Sequence, residues 1–587
     1  MAGQGAAGPT RLLDRLLRPG SDSRRDRWID LAWLSGLALL LIGAGLGLRD
    51  PWPADEPRFA LIARDMIASG DWLIPRVGGD LYPDKPPLYF WLMAAAMQVS
   101  GSLQVGFLLV SLLAGLGTLW LVYDLLSRAR GREVALAGAL VLLITFQFVW
   151  QARQAQIDAT LCFFTTLSLY GLLRHTLLGP APCWYLLGWV AAGLGIITKG
   201  VGFLPLLLLL PLAVLSMRGW PTAARAGWLV LAGPVAMLAA IALWFVPMLI
   251  ATSAGGELLD YRNEILFKQT VTRYARAWHH HEPFWYYLVN VVPVLWLPLI
   301  GLLPWLLPRW RRALGSRDTL VAALLAWVVI VIVFFSVSSG KRGVYVLPAL
   351  PAFAMAAAPS LPGLLRARGP RWLAFGLAAT LAAVLVAAAV MTGIGSERLD
   401  ELLAPYDVDP VPIFLFMAAA CSIALAVFRV RNGWLAYGAV LACILCSIGW
   451  LINPRIDSER SGSDFMRALA EASRGVPELG FVGAKEQYLL QYQGSSVNFG
   501  HARWREKEQE AADAAAWLVT RPGRALMMDG DSREACFGGA EAVELGRANR
   551  QHWFLVTGQP DEDCLDAGDA TRARRYHSAG GALNTAG

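Results

Sequence analysis

The sequence predicts an α-helical integral membrane protein of about thirteen transmembrane helices, with interfacial helices on one face and a C-terminal soluble α/β domain. Three observations carry that prediction. Of 587 residues, 56% are apolar and 16% charged, where an average soluble chain carries about 25% charged residues. The apolar residues gather into windows close to the ~20 residues that a helix needs to cross the hydrocarbon core. Beyond residue 452 the composition turns polar and short apolar runs alternate with helical patterns.

The windows fall at 31–48, 103–127, 133–150, 158–178, 183–198, 201–217, 227–250, 284–307, 319–338, 343–359, 372–394, 411–428 and 433–452. The first lacks a small-residue cleavage site and runs straight into Arg49-Asp50-Pro51-Trp52, so it reads as a retained span and not a removed signal peptide. Residues 1–30 carry Arg11, Arg15, Arg18, Arg24, Arg25 and Arg27, which assigns them to the cytoplasm by the positive-inside rule. Every second connection is then basic: Arg128/Arg130/Arg132, Arg174, Arg218/Arg225, Arg309/Arg311/Arg312/Arg317, Arg366/Arg368/Arg371 and Arg429/Arg431. An odd number of spans sends the C-terminus outside. The outer face is left with 49–102, 151–157, 199–200, 251–283, 339–342, 395–410 and 453–587.

Segment 49–102 is too long for a plain connection. Glu56 to Ser69 places Phe59, Ile62, Ala63, Met66 and Ile67 on one helical face, which suits an amphipathic helix lying in the interface. Pro57 near its start and Gly70 after its end are helix signals. Pro86-Pro87 opens a second apolar helix, Leu88 to Val99, too short to cross. In the tail, Leu479–Val482, Ala525–Met528 and Trp553–Val556 read as strands, and Asp464–Ala472 and Glu506–Leu518 as helices. Of the 7 cysteines, Cys162, Cys183, Cys421, Cys443 and Cys446 lie in or beside spans and read as small core residues. Cys536 and Cys564 lie in the tail, where an extracytoplasmic location permits a disulfide.

The net charge of +7 resides in short loops and reads as membrane topology; no basic stripe with interleaved aromatics points to nucleic acid. No Rossmann-type glycine fingerprint argues for a nucleotide-sugar donor. The ionisable residues of interest cluster at one face, whereas a transporter or flippase would place them at the bilayer midplane.

The candidate residues all fall on the outer face. Asp55 and Glu56 either cap the helix that follows or, with Arg58, shape a reaction site in which Asp55 acts as base or orienter. Lys85, between Asp84 and two prolines, either snorkels to head groups or holds a phosphate. Lys341 and Arg342 break the basic-inside pattern, with Tyr345 one turn later. Asp158 follows Gln151, Arg153, Gln154 and Gln156 at a helix start, and either caps that helix or faces inward. Thr198-Lys199-Gly200 marks another outer turn with a cation. The loop 251–283 carries Glu264, Lys268, Arg273, Arg276 and His279-His280-His281-Glu282; three consecutive histidines cannot all face one metal on a helix.

Asp55–Leu92, DEPRFALIARDMIASGDWLIPRVGGDLYPDKPPLYFWL, resembles the first external loop of the bacterial aminoarabinose transferases that modify lipid A, members of the wider protein O-mannosyltransferase-like group with the GT-C fold. Ile157-Asp158, Ile197-Thr198-Lys199-Gly200, Glu282-Pro283-Phe284-Trp285-Tyr286-Tyr287 and Phe335-Ser336-Val337-Ser338 leading to Gly340-Lys341 and Tyr345 are similar too, in the same order. The resemblance covers roughly the first 350 residues. It implies Asp55 at the reaction centre, Asp158 as a second carboxylate of the cavity, and Lys85, Arg273 and Tyr345 on the lipid phosphate. It also implies an undecaprenyl-phosphate-linked sugar donor and a periplasmic site in the bacterial inner membrane. Two stretches depart from the family pattern: Gln269-Thr270-Val271-Thr272-Arg273-Tyr274 replaces Glu-His-x-x-Arg-Phe, and Pro83-Asp84-Lys85-Pro86 replaces Phe-Glu-Lys-Pro. These leave open a divalent metal, for which Asp84 is the candidate ligand, and the identity of sugar and acceptor.

The expected activity is an inverting transfer of 4-amino-4-deoxy-L-arabinose from undecaprenyl phosphate to a lipid A phosphate. The alternatives are another sugar passed to a protein or envelope-glycan hydroxyl, or a transporter. In the transferase, Lys85, Arg273 and Lys341 stabilise the departing lipid phosphate with a hydrogen bond from Tyr345, while Glu56 and Arg58 bind substrate.

Overall fold

The computed structural model describes residues 24–225, 227–266, 281–406, 408–483, 485–500, 503, 506–549 and 551–579. Arg11, Arg15 and Arg18, the loop residues Lys268, Arg273 and Arg276, and His279 and His280 lie outside them. Nine helices of the described residues are long and apolar enough to cross a bilayer, or eleven when each of two bent pairs counts as one span. The expected thirteen is therefore not reproduced as a count, although each predicted window holds helix. The two that fall short are Arg24–Gly43, whose first turns carry Asp26, Arg27 and Asp30, and Pro182–Thr198, only 17 residues long. The bent pairs are Arg132–Leu143 with Phe146–Ala152, at 68°, and Tyr287–Leu295 with Ile300–Gly315, at 100°. Pro298 lies in the second break, where a missing N–H interrupts the helical ladder.

The connections read as basic and the segments read as outer each form ion pairs among themselves. Among the basic loops, Arg132 pairs with Asp30 at 2.5 Å, Arg130 with Asp318 at 2.6 Å and Arg366 with Glu133 at 2.8 Å. Arg574 of the tail pairs with Asp80 at 3.4 Å and Glu257 at 2.7 Å, joining three of the segments read as outer.

The outer segments form the expected elements with one difference in setting. Glu56–Ser69 and Leu88–Ser100 are helices, ended by left-handed Gly70 and Gly101. A hairpin, β1 (Arg76–Val77) and β2 (Asp80–Leu81), links them. The Glu56–Ser69 helix is not half-exposed in an interface. Phe59 through Arg64 and Met66 are all buried, because the tail domain covers the face that the sequence left polar. Arg64, 1% exposed, donates to the Leu490 carbonyl at 3.1 Å and to the Tyr576 hydroxyl at 2.6 Å; that hydroxyl donates in turn to Asp65 at 2.7 Å.

The tail is an α/β unit whose six strands are β3 (Glu478–Phe481), β4 (Gln493–Asn498), β5 (Arg524–Asp529), β6 (Ala542–Ala548), β7 (Gln551–Val556) and β8 (Arg574–Ala579). They run in the order β6-β7-β5-β3-β4-β8, with β3 parallel to both β4 and β5 and the other pairings antiparallel. The three strands legible in the sequence, β3, β5 and β7, hold adjacent central positions, and β5 is buried along its whole length. The helices Ser463–Ala472 and Lys507–Val519 match the two predicted. Cys536 and Cys564 are joined by a disulfide.

Candidate active site

The site begins at the start of the Glu56–Ser69 helix, where two adjacent carboxylates point to different tasks. Asp55 occupies the N-cap position but makes no side-chain cap hydrogen bond, so the capping alternative fails. Its Oδ2 instead accepts from Arg342 Nη2 at 3.0 Å, across 287 residues of sequence, and Arg58 lies 3.8 Å from its other oxygen. Glu56 turns inward and is 7% exposed. Its Oε2 accepts from Arg49 Nη1 at 2.5 Å and the Trp52 N–H at 3.1 Å; its Oε1 accepts from Arg49 Nη2 at 2.8 Å and the Ala155 N–H at 3.0 Å. A carboxylate with four donors is committed to the protein. Glu56, expected to bind substrate, fixes the turn before Asp55 against the link that precedes Asp158.

Arg58 is held from the tail: its Nε donates to Glu486 Oε1 at 2.6 Å. Burial opposes its charge, but Glu486, Tyr82 and Asp55 outweigh that cost and keep the guanidinium above its ordinary pKa. The Tyr82 phenol is pushed up by burial and then by Asp84, and also feels Asp55. Tyr82 thereby connects the Asp84-Lys85 turn to the Asp55 centre. Lys85 is half-buried in that turn and donates to the Asp84 carbonyl at 2.9 Å.

A second cluster gathers around Asp158, in the first turn of the Ile157–Leu178 helix. Lys199 Nζ donates to Asp158 Oδ1 at 2.6 Å and lies 4.4 Å from the centre of the Tyr345 ring. Arg342 joins the two clusters. Burial opposes its charge, but the Asp55 carboxylate that it bonds, with Tyr345 and Asp158 nearby, holds its pKa above the ordinary value. Its backbone is fixed from below: Gln147 Nε2 donates to the Gly343 carbonyl at 2.8 Å, and Gln147 in turn accepts from the Trp296 indole at 2.6 Å.

Lys341, expected on the substrate phosphate, is engaged by backbone carbonyls. It is 5% exposed, and its ammonium donates to the carbonyls of Ser338 at 2.6 Å and Glu282 at 2.8 Å. A lysine just past a helix end is well placed to satisfy carbonyls that have lost their helical partners. It ties the end of the Thr319–Val337 helix to the segment at His281, which bridges Gly340. The cation that faces the centre is its neighbour Arg342. Arg273 lies outside the described residues. Among the described residues, no three His, Cys, Asp or Glu side chains, Asp84 included, stand close enough to share an ion.

The residues chosen from sequence omitted Arg342 and Lys199 as ligands and Arg49 as a partner of Glu56. The signals were present: Arg342 and Lys199 are cations in segments read as outer, where anchors are not expected, and Arg49 ends the first apolar run. Together the two clusters present three cations, Arg342, Lys199 and Arg58, beside two carboxylates, with Lys85 on an adjoining turn. That arrangement suits an anionic substrate at which charge builds up during reaction.

The sequence profile of the dolichyl-phosphate-mannose-protein mannosyltransferase family matches residues 84–253, which include Lys85, Asp158 and Lys199. The undecaprenyl phosphate-alpha-4-amino-4-deoxy-L-arabinose arabinosyl transferase 2 of Pseudomonas fluorescens is 30% identical over 513 residues, covering 85% of each chain. The transferase of that name from Edwardsiella ictaluri is 29% identical over 459 residues, 73% of this chain and 76% of the relative. For the Aeromonas salmonicida transferase the match is 32% identical over 330 residues, and the chain spans 58% of that relative's length. The crystal structure of ArnT from Cupriavidus metallidurans bound to undecaprenyl phosphate has the same fold, with a TM-score of 0.70 at 22% identity, covering 90% of this chain and 98% of that one.

Proposed function

The chain belongs to the family of undecaprenyl phosphate-alpha-4-amino-4-deoxy-L-arabinose arabinosyl transferases, and we propose that it is a multi-pass membrane glycosyltransferase that moves 4-amino-4-deoxy-L-arabinose from undecaprenyl phosphate to a lipid A phosphate. The observation that carries this reading is the meeting of Asp55 with Arg342 and of Asp158 with Lys199 and Tyr345 at one end of the helical bundle. A polyprenyl donor requires a site at the membrane surface, since its tail stays in lipid while its head reacts. An acceptor oxygen attacks the anomeric carbon opposite the phosphate. The bond from that carbon to the phosphate oxygen breaks, configuration inverts, and undecaprenyl phosphate leaves with the electron pair.

On this reading Lys85, Lys199 and Arg273 stabilise the departing phosphate and Tyr345 donates a hydrogen bond to it. Asp158 orients Lys199. Arg58 and Arg342 flank Asp55, whose two oxygens both face guanidinium groups. That suits a carboxylate that orients an already ionised phosphate acceptor better than one that takes up a proton from a hydroxyl. The site would face the periplasm, with the N-terminus in the cytoplasm and the tail domain outside. The basic loops at the opposite end support that orientation, and so does the Cys536–Cys564 disulfide in the tail.

In the purified, membrane-reconstituted protein, Asp55→Asn and Lys85→Ala are each expected to abolish sugar transfer while the protein stays folded; normal transfer by the double variant would contradict the assignment. A reporter fused after residue 460 should be active only outside the cytoplasm.

A further inference from the structure

A cavity of about 380 Å³ opens beside Asp55, between the first span, the Leu103–Arg130 helix and the last span. Its walls are apolar, formed by Ile42, Leu46, Leu108, Leu112, Ile448 and Ile452. Four arginines and two carboxylates also line it: Arg49, Arg153, Arg342 and Arg460 against Asp55 and Glu56. The carboxylates are already matched, Glu56 by Arg49 and Asp55 by Arg342. Arg153 and Arg460 have no carboxylate partner among the described residues.

Arg153 donates to three backbone carbonyls, Leu41 at 2.5 Å, Ala44 at 3.1 Å and Leu445 at 2.9 Å. A guanidinium carries five N–H donors, so three are used and two remain. Arg460 stands over the Trp52 ring at 5.1 Å, and Arg49 lies 4.7 Å from the same ring. The indole is fixed by its own bond to Asp457 at 2.7 Å, so Arg460 is held at the cavity by a stacked contact and not by an ion pair. Arg153 is half-buried against the apolar wall, where an anion would complete it, while Arg460 is exposed and lines the same cavity. Two cations not spent on a salt bridge suit a phosphomonoester, which carries about −1.5 to −2 near neutrality, and a guanidinium gives phosphate charge-assisted hydrogen bonds.

We propose that this cavity binds the phosphomonoester head of the lipid acceptor, through Arg153 and Arg460, with its lipid part along the apolar wall. It is separate from the Asp158–Lys199–Tyr345 cluster, none of whose members lines it, and Asp55 with Arg342 stands between the two as the shared border. The acceptor phosphate would therefore reach Asp55 from one side and the donor from the other. This inference rests on the transferase function proposed above.

The test measures binding of lipid A bisphosphate, of its dephosphorylated form and of undecaprenyl phosphate to the purified full-length protein, wild type and the variants Arg460→Gln and Arg153→Lys. The exposed Arg460 can be changed without disturbing helix packing, so its variant decides if Arg153→Lys fails to fold. Loss of one charge-assisted phosphate contact weakens lipid A bisphosphate by about tenfold, with undecaprenyl phosphate changed by less than about twofold. Dephosphorylated lipid A should not distinguish wild type from variant, and millimolar inorganic phosphate should leave the lipid bound. Unchanged lipid A affinity in Arg460→Gln overturns the proposal. Loss of undecaprenyl phosphate instead assigns the cavity to the donor, and full displacement by inorganic phosphate assigns it to a free anion; either overturns it. If wild type binds undecaprenyl phosphate but no form of lipid A, the acceptor site falls while a transferase with another acceptor stands. If it binds neither lipid phosphate, the proposed function falls as well.

Discussion

Replacing Glu56 by Gln separates a structural carboxylate from a catalytic one at adjacent positions. Each Glu56 oxygen receives two donors, one from Arg49 and one from a backbone N–H. Whichever oxygen becomes an amide nitrogen, a guanidinium N–H and a backbone N–H then face a donor. The Arg49 charge, 7% exposed, also loses its counter-charge. Breaking a buried pair from one side costs about 3–5 kcal/mol, and little solvent reaches this pair to soften the loss. Thermal unfolding of the purified protein in detergent should show a destabilisation of that size in Glu56→Gln, with transfer lost in proportion to folded protein. Arg49→Met with Glu56→Met should cost less than Glu56→Gln alone, because no unpaired charge remains. A variant as stable as wild type but inactive would refute the assignment and return Glu56 to the substrate.

Two further outcomes concern the tail domain. Burial pushes the Glu510 carboxyl up to about 7, with Gly483 N–H and Arg503 opposing the shift and Asp529 and Asp513 adding to it. The folded domain therefore keeps this proton where the unfolded chain has released it, so the stability that the neutral form contributes is complete below about pH 4.5 and lost as pH rises to about 7, by up to about 3 kcal/mol. Glu510→Gln keeps an acceptor for Gly483 and should remove that dependence between pH 5 and 8; a Tm difference identical to wild type would sink the explanation. The Cys536–Cys564 disulfide closes a loop with a sequence separation of 28, and Cys536→Ser with Cys564→Ser should lower stability in denaturant titration by about 3 kcal/mol. No change, or equal sensitivity of the variant and the parent to reductant, would show that the loop is held by other contacts.

The spans were legible because length and apolarity are set by the bilayer, and the basic loops because arginines recur at every second connection. The helix at Glu56–Ser69 was legible in its ends, where Pro57 and Gly70 act locally. Its surroundings were not, since Arg64 is satisfied by Leu490 and Tyr576, more than 400 residues away. The same limit governed the choice between neighbours. Asp55 and Glu56 both fit a site, as do Lys341 and Arg342, and only the third dimension shows which of each pair turns inward. In both pairs one member anchors the chain so that the other can face the centre. Among the tail strands, β3, β5 and β7 announced themselves as apolar runs, whereas β4, β6 and β8 take their place by pairing with neighbours and are mixed in composition.

The most direct test of the convergence of outer-face charges on a lipid phosphate is a structure of this chain with undecaprenyl phosphate bound. The phosphate is expected within hydrogen-bonding distance of Lys199 or Lys85 and of the Tyr345 hydroxyl, beside the Asp55–Arg342 pair. A phosphate seated among the basic loops around Arg130, Arg132 and Arg366, at the opposite end of the bundle, would contradict it.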